Sequence, residues 1–64
     1  MKIKYHVVPT VSFKAEDRLF MRGEEYPVYD KNGRSLLVAE NGEFLFTNEL
    51  MRQAILEWGL EVIE

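Results

Sequence analysis

Several residue types that would narrow the function are scarce in this 64-residue chain, which has no cysteine and a single histidine, His6. Without cysteine no disulfide can form, and one histidine cannot complete the usual Cys/His zinc site. Packing alone must therefore stabilise the chain, and in a domain of this size it contributes roughly 3–5 kcal/mol. Because self-association would bury further area, a homodimer is one expectation.

Long apolar runs are also absent. No run reaches the roughly 18–20 residues that cross a bilayer, and the start of the chain lacks the apolar stretch and cleavage site of a signal peptide. We therefore expect a cytoplasmic protein that makes no membrane contact. With 47% hydrophobic and 30% charged residues, the composition is that of a globular chain. We expect one domain over residues 1–64 and no cofactor.

Charge is unevenly distributed along the chain, whose net charge is −3. Residues 1–34 carry seven Lys/Arg against five Asp/Glu, which gives +2, and residues 35–64 carry one against six, which gives −5. Two explanations are open. The basic strands lie beside the acidic elements in one fold, or an acidic face directs the protein to a basic partner.

The N-terminal third predicts three short strands. Alternation of apolar and polar residues predicts a half-buried first strand. Its core-facing residues would be Ile3, Tyr5 and Val7, and its solvent-facing residues Lys2, Lys4 and His6. Pro9 ends this strand or places it at an edge, because proline cannot donate to a sheet ladder. Residues 11–22 read as a short strand on each side of a polar connection, and Gly23 marks the next turn.

A three-stranded antiparallel meander is predicted between Glu25 and Phe46. Three apolar runs are separated there by Asn32-Gly33 and Asn41-Gly42, dipeptides that suit hairpin turns with positive φ. Pro27 indicates that the first of these strands is an edge strand or carries a bulge.

One helix is predicted after the meander, from an N-cap at Thr47 or Asn48 to a stop at Gly59. Its apolar stripe should cover the sheet, through the residues Leu50, Met51, Ala54, Ile55 and Trp58. Residues 60–63 then predict a short last strand at the sheet edge. The fold class is α+β, a small antiparallel β-meander packed by one helix near the C-terminus.

No catalytic or metal site emerges from the residue pattern. His6 is the only side chain that titrates near neutrality, and we expect it to be solvated on its strand. The hydroxyl candidates Thr10, Ser12, Ser35 and Thr47 lack a nucleophile motif. Glu40 and Glu43 offer too few oxygens for a cation. We therefore expect no enzyme activity.

Nucleic-acid binding is the second functional hypothesis. Small β-barrels bind nucleic acid through aromatic side chains flanked by Lys/Arg. The N-terminal half offers such a set, with Tyr5, Phe13, Tyr26 and Tyr29 beside Lys2, Lys4, Lys14, Arg18, Arg22, Lys31 and Arg34. The acidic net charge opposes it, because phosphate neutralisation dominates affinity.

Leu56 interrupts the polar side of the predicted helix, between Arg52, Gln53 and Glu49. An apolar anchor with a polar rim is the pattern of a contact surface, so we take Leu56, Glu57, Arg52 and Gln53 as the candidate partner-binding site. A single exposed leucine can also be incidental. Trp58 is open to two interpretations, an interface anchor or a core residue between helix and sheet.

The segment Gly23-Glu24-Glu25-Tyr26-Pro27-Val28-Tyr29-Asp30, followed by Asn32-Gly33 and a second hairpin, resembles the small SH3-like β proteins of phage and prophage open reading frames. The resemblance covers residues 23–46. It implies an SH3-like barrel and a bacterial or phage accessory protein that binds a host component. The predicted helix is longer than the single helical turn usual in such barrels, so a partly open barrel is the alternative.

Taken together, these features favour a noncatalytic protein-interaction module that binds a protein partner or itself through an acidic, partly apolar surface. A nucleic-acid-binding barrel and a purely structural homodimer are the alternatives.

Overall fold

Residues 2–64 are described by a computed structural model of the chain. Seven strands and one helix follow one another in the order β1 (Lys2–Pro9), β2 (Phe13–Ala15), β3 (Arg18–Phe20), β4 (Tyr26–Lys31), β5 (Arg34–Val38), β6 (Glu43–Phe46), α1 (Asn48–Glu57) and β7 (Leu60–Ile63). No helix within this range is both long and apolar enough to cross a membrane.

Five strands form one antiparallel sheet in the order β6-β5-β4-β1-β7, and β2 and β3 form a separate hairpin. The expected α+β fold, meander, single helix and final edge strand are therefore confirmed. Strand β7 pairs with β1, so an acidic C-terminal strand lies beside the basic N-terminal one. Helix α1 contacts β5, β6 and β7. Because β6 and β7 are opposite edges of the sheet, the helix reaches both of its edges.

The hydrophobic core lies between one side of this sheet, the β2–β3 hairpin and α1. Phe20 of the hairpin and Met51 of the helix are fully buried against sheet residues such as Val7, Val28 and Leu37. Side chains directly opposite each other in an antiparallel pair share a face. The pairs Val28–Leu37 and Leu37–Phe44 therefore define the inner face of the sheet.

The first strand departs from simple alternation because it carries a bulge. Ile3 pairs with Tyr29 and Tyr5 with Val28, so Lys4 is an extra residue with no partner on β4. Tyr5 and Val7 face the core as expected, but Ile3 is turned to the outer face, where 45% of it is exposed. The prediction that Ile3 faces the core is wrong for this reason, whereas Lys4 is exposed as predicted.

The Lys4 side chain takes part in a polar network with Ser35 of β5 and Asn48 at the start of the helix. Its ammonium group donates to the Ser35 hydroxyl (2.9 Å) and to the Asn48 side-chain oxygen (3.0 Å), and Ser35 donates to the same oxygen (3.0 Å). The network satisfies the buried Ser35 hydroxyl and ties β1 and β5 to the start of the helix.

Pro27 lies in a central strand, since β4 runs between β5 and β1, so the edge-strand interpretation is wrong. The bulge is on β1 rather than at Pro27. Pairing between β4 and β5 covers Val28–Lys31 and stops short of Pro27, which pairs only with His6 of β1. Proline is tolerated there because that end of β4 has a single neighbour.

The two Asn-Gly dipeptides form different turns. Asn32 and Gly33 both have positive φ (53° and 81°) and close a tight hairpin between β4 and β5, as predicted. Asn41 and Gly42 lie in the predicted hairpin between β5 and β6, but they lack positive φ, so the predicted turn conformation is wrong there. The β5–β6 loop lies against the β2–β3 hairpin, and a side chain at Gly42 would come within 3.0 Å of the Arg18 side chain. Close approach, rather than turn geometry, explains this glycine.

The helix begins at the predicted N-cap, because the Thr47 hydroxyl accepts from the Leu50 amide (3.2 Å). It ends before Gly59, whose φ of 63° is the left-handed conformation expected there. Met51 and Ala54 are buried, but Leu50 is 49% exposed. The prediction for Leu50 is wrong, because this residue lies at the margin of the stripe, about 90° around the helix from its centre.

Candidate functional site

The four predicted contact residues lie together on the solvent side of α1. Leu56 is 82% exposed, and Arg52, Gln53 and Glu57 are exposed around it. Residues three and four apart on a helix are neighbours, so Arg52 and Gln53 lie one turn before Leu56. We call these four residues the helix surface. It is an isolated apolar side chain in a polar, charged rim.

The helix that carries this surface is capped at its start. Thr47 caps the first turn, and Glu49 lies in that turn, where its negative charge is stabilised by the positive end of the helix.

Arg52 also lies close enough to Tyr5 to affect it. Burial raises the pKa of the Tyr5 phenol, and the positive charge of Arg52 partly offsets this rise. Arg52 therefore acts electrostatically on the edge of the core as well as on the solvent side.

Trp58 belongs to the core rather than to the helix surface. It is half-buried, with its ring centroid 5.4 Å from those of Phe13 and Phe44 and 6.0 Å from that of Phe46. This aromatic contact joins the helix to both the hairpin and β6. Of the two interpretations of Trp58, the structure supports packing between helix and sheet.

Each hydroxyl considered as a nucleophile takes part in a structural hydrogen bond. Thr10 donates to the Gly59 carbonyl (2.8 Å), Ser12 accepts from the Arg22 amide (2.8 Å), and Thr47 caps the helix. Ser35 receives a hydrogen bond from Lys4 and directs its own proton to Asn48. A base that activated Ser35 would have to accept that proton, so Lys4 does not play this role in the observed arrangement.

The remaining candidates for chemistry are separated from one another. His6 is half-buried on the outer face of the sheet, opposite Pro27 and Ile63. The Glu40 carboxylate accepts from the Tyr26 hydroxyl (2.7 Å), and the Glu43 carbonyl accepts from Arg18 (2.8 Å). Within residues 2–64 there is no group of three or more ligands that could hold a metal ion, and no pocket is formed there.

The predicted nucleic-acid surface is not assembled as expected. Tyr26 is buried, and Tyr5 and Phe13 pack against the core. Arg18 lies over the Phe44 ring, 4.7 Å from its centroid. Of the four proposed aromatic residues, only Tyr29 is on the outer face of the sheet, where it shares its side with Lys31 and Arg34.

The structure reveals a second surface that the sequence analysis missed. We call it the outer sheet face, the side of the five-stranded sheet away from α1 and the β2–β3 hairpin. Leu45, Leu36, Tyr29 and Ile3 lie directly opposite one another on four neighbouring strands of this face. A sequence signal for this surface exists, because a continuous apolar run places apolar residues on both faces of a strand. Two such runs are Leu36-Leu37-Val38 and Phe44-Leu45-Phe46.

Comparison of the chain with protein-family models, with curated proteins and with solved structures found no match. The surfaces described above therefore carry the functional argument.

Proposed function

We propose that the protein is a noncatalytic protein-interaction module that binds another protein through the helix surface. The observation that carries this proposal is Leu56, which is 82% exposed at the centre of a charged rim on a helix anchored at both ends. Interfaces combine an apolar centre with a polar rim. A helix that is already formed before binding also loses less conformational entropy than a disordered segment when it binds.

The chemistry of the helix surface indicates the kind of partner. Glu49 and Glu57 outnumber Arg52 on the exposed side of α1, and residues 35–64 carry a net charge of −5. A partner with an apolar pocket for Leu56 and basic residues around it would complement this surface. Complementary charge would speed association and make it sensitive to salt.

The same proposal includes an SH3-like, partly open barrel as the architecture and a bacterial or phage accessory role in the cytoplasm. Three features support the architecture: the strand order β6-β5-β4-β1-β7, the hairpin inserted between β1 and β4, and the helix between β6 and β7. Contact of α1 with both edge strands supports a curled sheet that the helix helps to close. The resemblance of residues 23–46 to phage and prophage SH3-like proteins supports the role.

Capture from the source cells tests the helix surface. The tagged chain should retain a partner that the Leu56→Asp variant binds at least about tenfold more weakly, since losing a central anchor is costly. Raising salt from about 50 to 500 mM should weaken the wild-type complex because screening reduces charge attraction.

Val11→Asp is the matched control, because Val11 is a loop residue that is 59% exposed and lies outside the helix surface. This variant introduces the same charge and should retain the partner. Equal retention of the partner by Leu56→Asp and the wild type would contradict the proposal.

Nucleic-acid binding remains the second candidate because Tyr29, Lys31 and Arg34 share one side of the sheet. A complex with single-stranded DNA or RNA that weakens steeply with salt would support it. The helix surface takes no part in this candidate, so Leu56→Asp should leave such binding unchanged.

A further inference from the structure

A row of four apolar side chains crosses the outer sheet face. Leu45 pairs with Leu36, Leu36 with Tyr29 and Tyr29 with Ile3, so the row spans β6, β5, β4 and β1. At about 4.8 Å between strands, it extends roughly 14 Å. Leu45 and Ile3 at its ends are 47% and 45% exposed, while Leu36 is only 4% exposed although it lies outside the core cluster. The exposed area of the row therefore lies mainly at its two ends.

Opposite charges flank this row on its two sides. Arg34 and Lys31 lie two residues beyond Leu36 and Tyr29, toward the β4–β5 turn. Glu43 lies two residues from Leu45 in the other direction, and Glu61, opposite Val8, lies farther along on that side. The outer sheet face thus carries a basic side, an apolar centre and an acidic side.

We infer that this face binds a second copy of the chain, with the two sheets packed face to face about a two-fold axis along the apolar row. This axis places each residue of the row opposite the same residue of the partner. The strands of the two copies then run in opposite directions. The basic side of each copy then lies over the acidic side of the other. Each strand stays opposite its own copy, so Arg34 on β5 lies over the partner's Val38 and beside the partner's Glu43, which pairs with that residue. A two-fold interface must be self-complementary, and this distribution of charge meets that condition.

The helix surface is less suited to a second copy. The exposed side of α1 as a whole carries Glu49 and Glu57 against Arg52, so two copies would bring like charges together, whereas the outer sheet face balances two basic against two acidic residues. The inference goes beyond the proposed function and does not depend on it. A dimer joined through the sheets would leave both helix surfaces free.

Sedimentation velocity and light scattering of the full chain test the dimer. The mass of the wild type should rise from 7.6 kDa toward twice that value between about 1 µM and 1 mM, the range of Kd for a small interface. Leu45→Lys should raise the dimer Kd at least about tenfold, because the axis brings each new ammonium group near its own copy. A wild type that stays monomeric throughout this range, or an unchanged Kd for Leu45→Lys, would overturn the inference.

Two controls separate this test from that of the helix surface. Leu56→Asp and Val11→Lys change exposed apolar residues away from the outer sheet face, and both should dimerise like the wild type. Loss of the dimer in Leu56→Asp alone would move self-association to the helix surface and overturn the inference. Circular dichroism of every variant verifies that the fold is intact.

Exchange of charges tests the two-fold arrangement itself. Arg34→Glu and Glu43→Arg should each weaken the dimer, because each places like charges on the two copies, and the double variant should recover most of the wild-type Kd. These two positions lie on opposite sides of the row within one copy, so recovery requires contact between copies. A double variant as weak as the single variants would overturn the arrangement.

Titration with a single-stranded oligonucleotide is the last arm of this test. If the face binds nucleic acid, the wild type should remain monomeric alone and form a salt-sensitive complex that Lys31→Glu weakens. That result would overturn the inference in favour of the nucleic-acid candidate.

Discussion

Tyr26 shows how much a single side chain contributes to this small fold. Its hydroxyl accepts from the Met21 amide and donates to the Glu40 carboxylate, both at 2.7 Å, so it links the segment after β3 to the β5–β6 loop. Burial raises the pKa of the Tyr26 phenol, the Met21 hydrogen bond opposes the rise, and the hydrogen bond and charge of Glu40 add to it. The neutral phenol is therefore the form that stabilises the fold.

Stability should consequently fall in alkali. Above about pH 10, the ordinary tyrosine pKa, the unfolded chain releases the Tyr26 proton while the folded chain still holds it. The free energy of unfolding therefore decreases as the pH rises above that value. Tyr26→Phe should be less stable at pH 7 by about 1–2 kcal/mol, since two hydrogen bonds are lost, and its disadvantage should shrink above pH 10. Urea unfolding from pH 7 to 11, followed by Trp58 fluorescence, measures both effects.

Glu40→Gln is the control for the role of charge. The glutamine can still accept from Tyr26 but has no negative charge, so the alkaline loss should be smaller than in the wild type. If the Tyr26→Phe and wild-type curves run parallel up to pH 11, Tyr26 is not the group responsible.

At the level of elements, the two small hairpins depend on each other through side chains of their loops. The Asn41 side chain accepts from the Leu19 amide (2.7 Å) and donates to the Asp17 carbonyl (2.9 Å). Arg18 donates in return to the Glu43 carbonyl (2.8 Å). The β2–β3 hairpin has no strand partner in the main sheet, so these bonds attach it there together with a backbone bond from the Glu40 amide to the Leu19 carbonyl (3.0 Å).

Asn41→Ala should therefore destabilise the fold by about 1–3 kcal/mol, because two backbone groups lose their partners. Asn41→Asp keeps the acceptor for the Leu19 amide and loses only the donor to Asp17, so its loss should be smaller. Hydrogen exchange of the Leu19 amide provides a local measurement. Equal stability of Asn41→Ala and the wild type would show that water replaces these bonds without cost.

Local signals predicted most of the elements, and long-range contacts explain the failures. Thr47, Gly59 and the Asn32-Gly33 turn act through their own backbone, so their positions could be found in the sequence. The bulge at Lys4 depends on Ser35 and Asn48, and Gly42 depends on Arg18. These partners are distant along the chain, and their proximity is a result of folding.

At the level of the whole molecule, Phe20 joins all three layers. It is fully buried, and its ring lies 5.0 Å from Phe13 of the hairpin, 5.1 Å from Tyr26 of the sheet and 6.0 Å from Trp58 beside the helix, between ring centroids. A cavity at this position would loosen the hairpin, the sheet and the helix together.

Phe20→Ala should lose about 3–5 kcal/mol, which equals the roughly 3–5 kcal/mol that a core of this size supplies. We therefore expect this variant to be largely unfolded at 25 °C, with loss of β-sheet circular dichroism and a red shift of Trp58 emission. Phe46→Ala, at a half-buried position, should cost less and stay folded. A wild-type urea midpoint for Phe20→Ala would contradict this account of the core.

The two candidate surfaces differ in how visible they are in the sequence. Leu56 stands out because helical periodicity alone places it on the polar side. The outer sheet face requires knowledge of which residues of β1, β4, β5 and β6 are directly opposite, and the bulge at Lys4 moves Ile3 onto it. Strand alternation without that bulge assigns Ile3 to the core, so the row is incomplete until the register is known.

The extra residue in the first strand has a consequence for how this protein can change over evolutionary time. Before Lys4, the apolar residue Ile3 lies on the outer sheet face. After Lys4, Tyr5 and Val7 lie on the inner face. Loss of one codon there would reverse the orientation of the preceding residues and remove Ile3 from the exterior. The apolar character of the outer sheet face therefore depends on this single position of the chain.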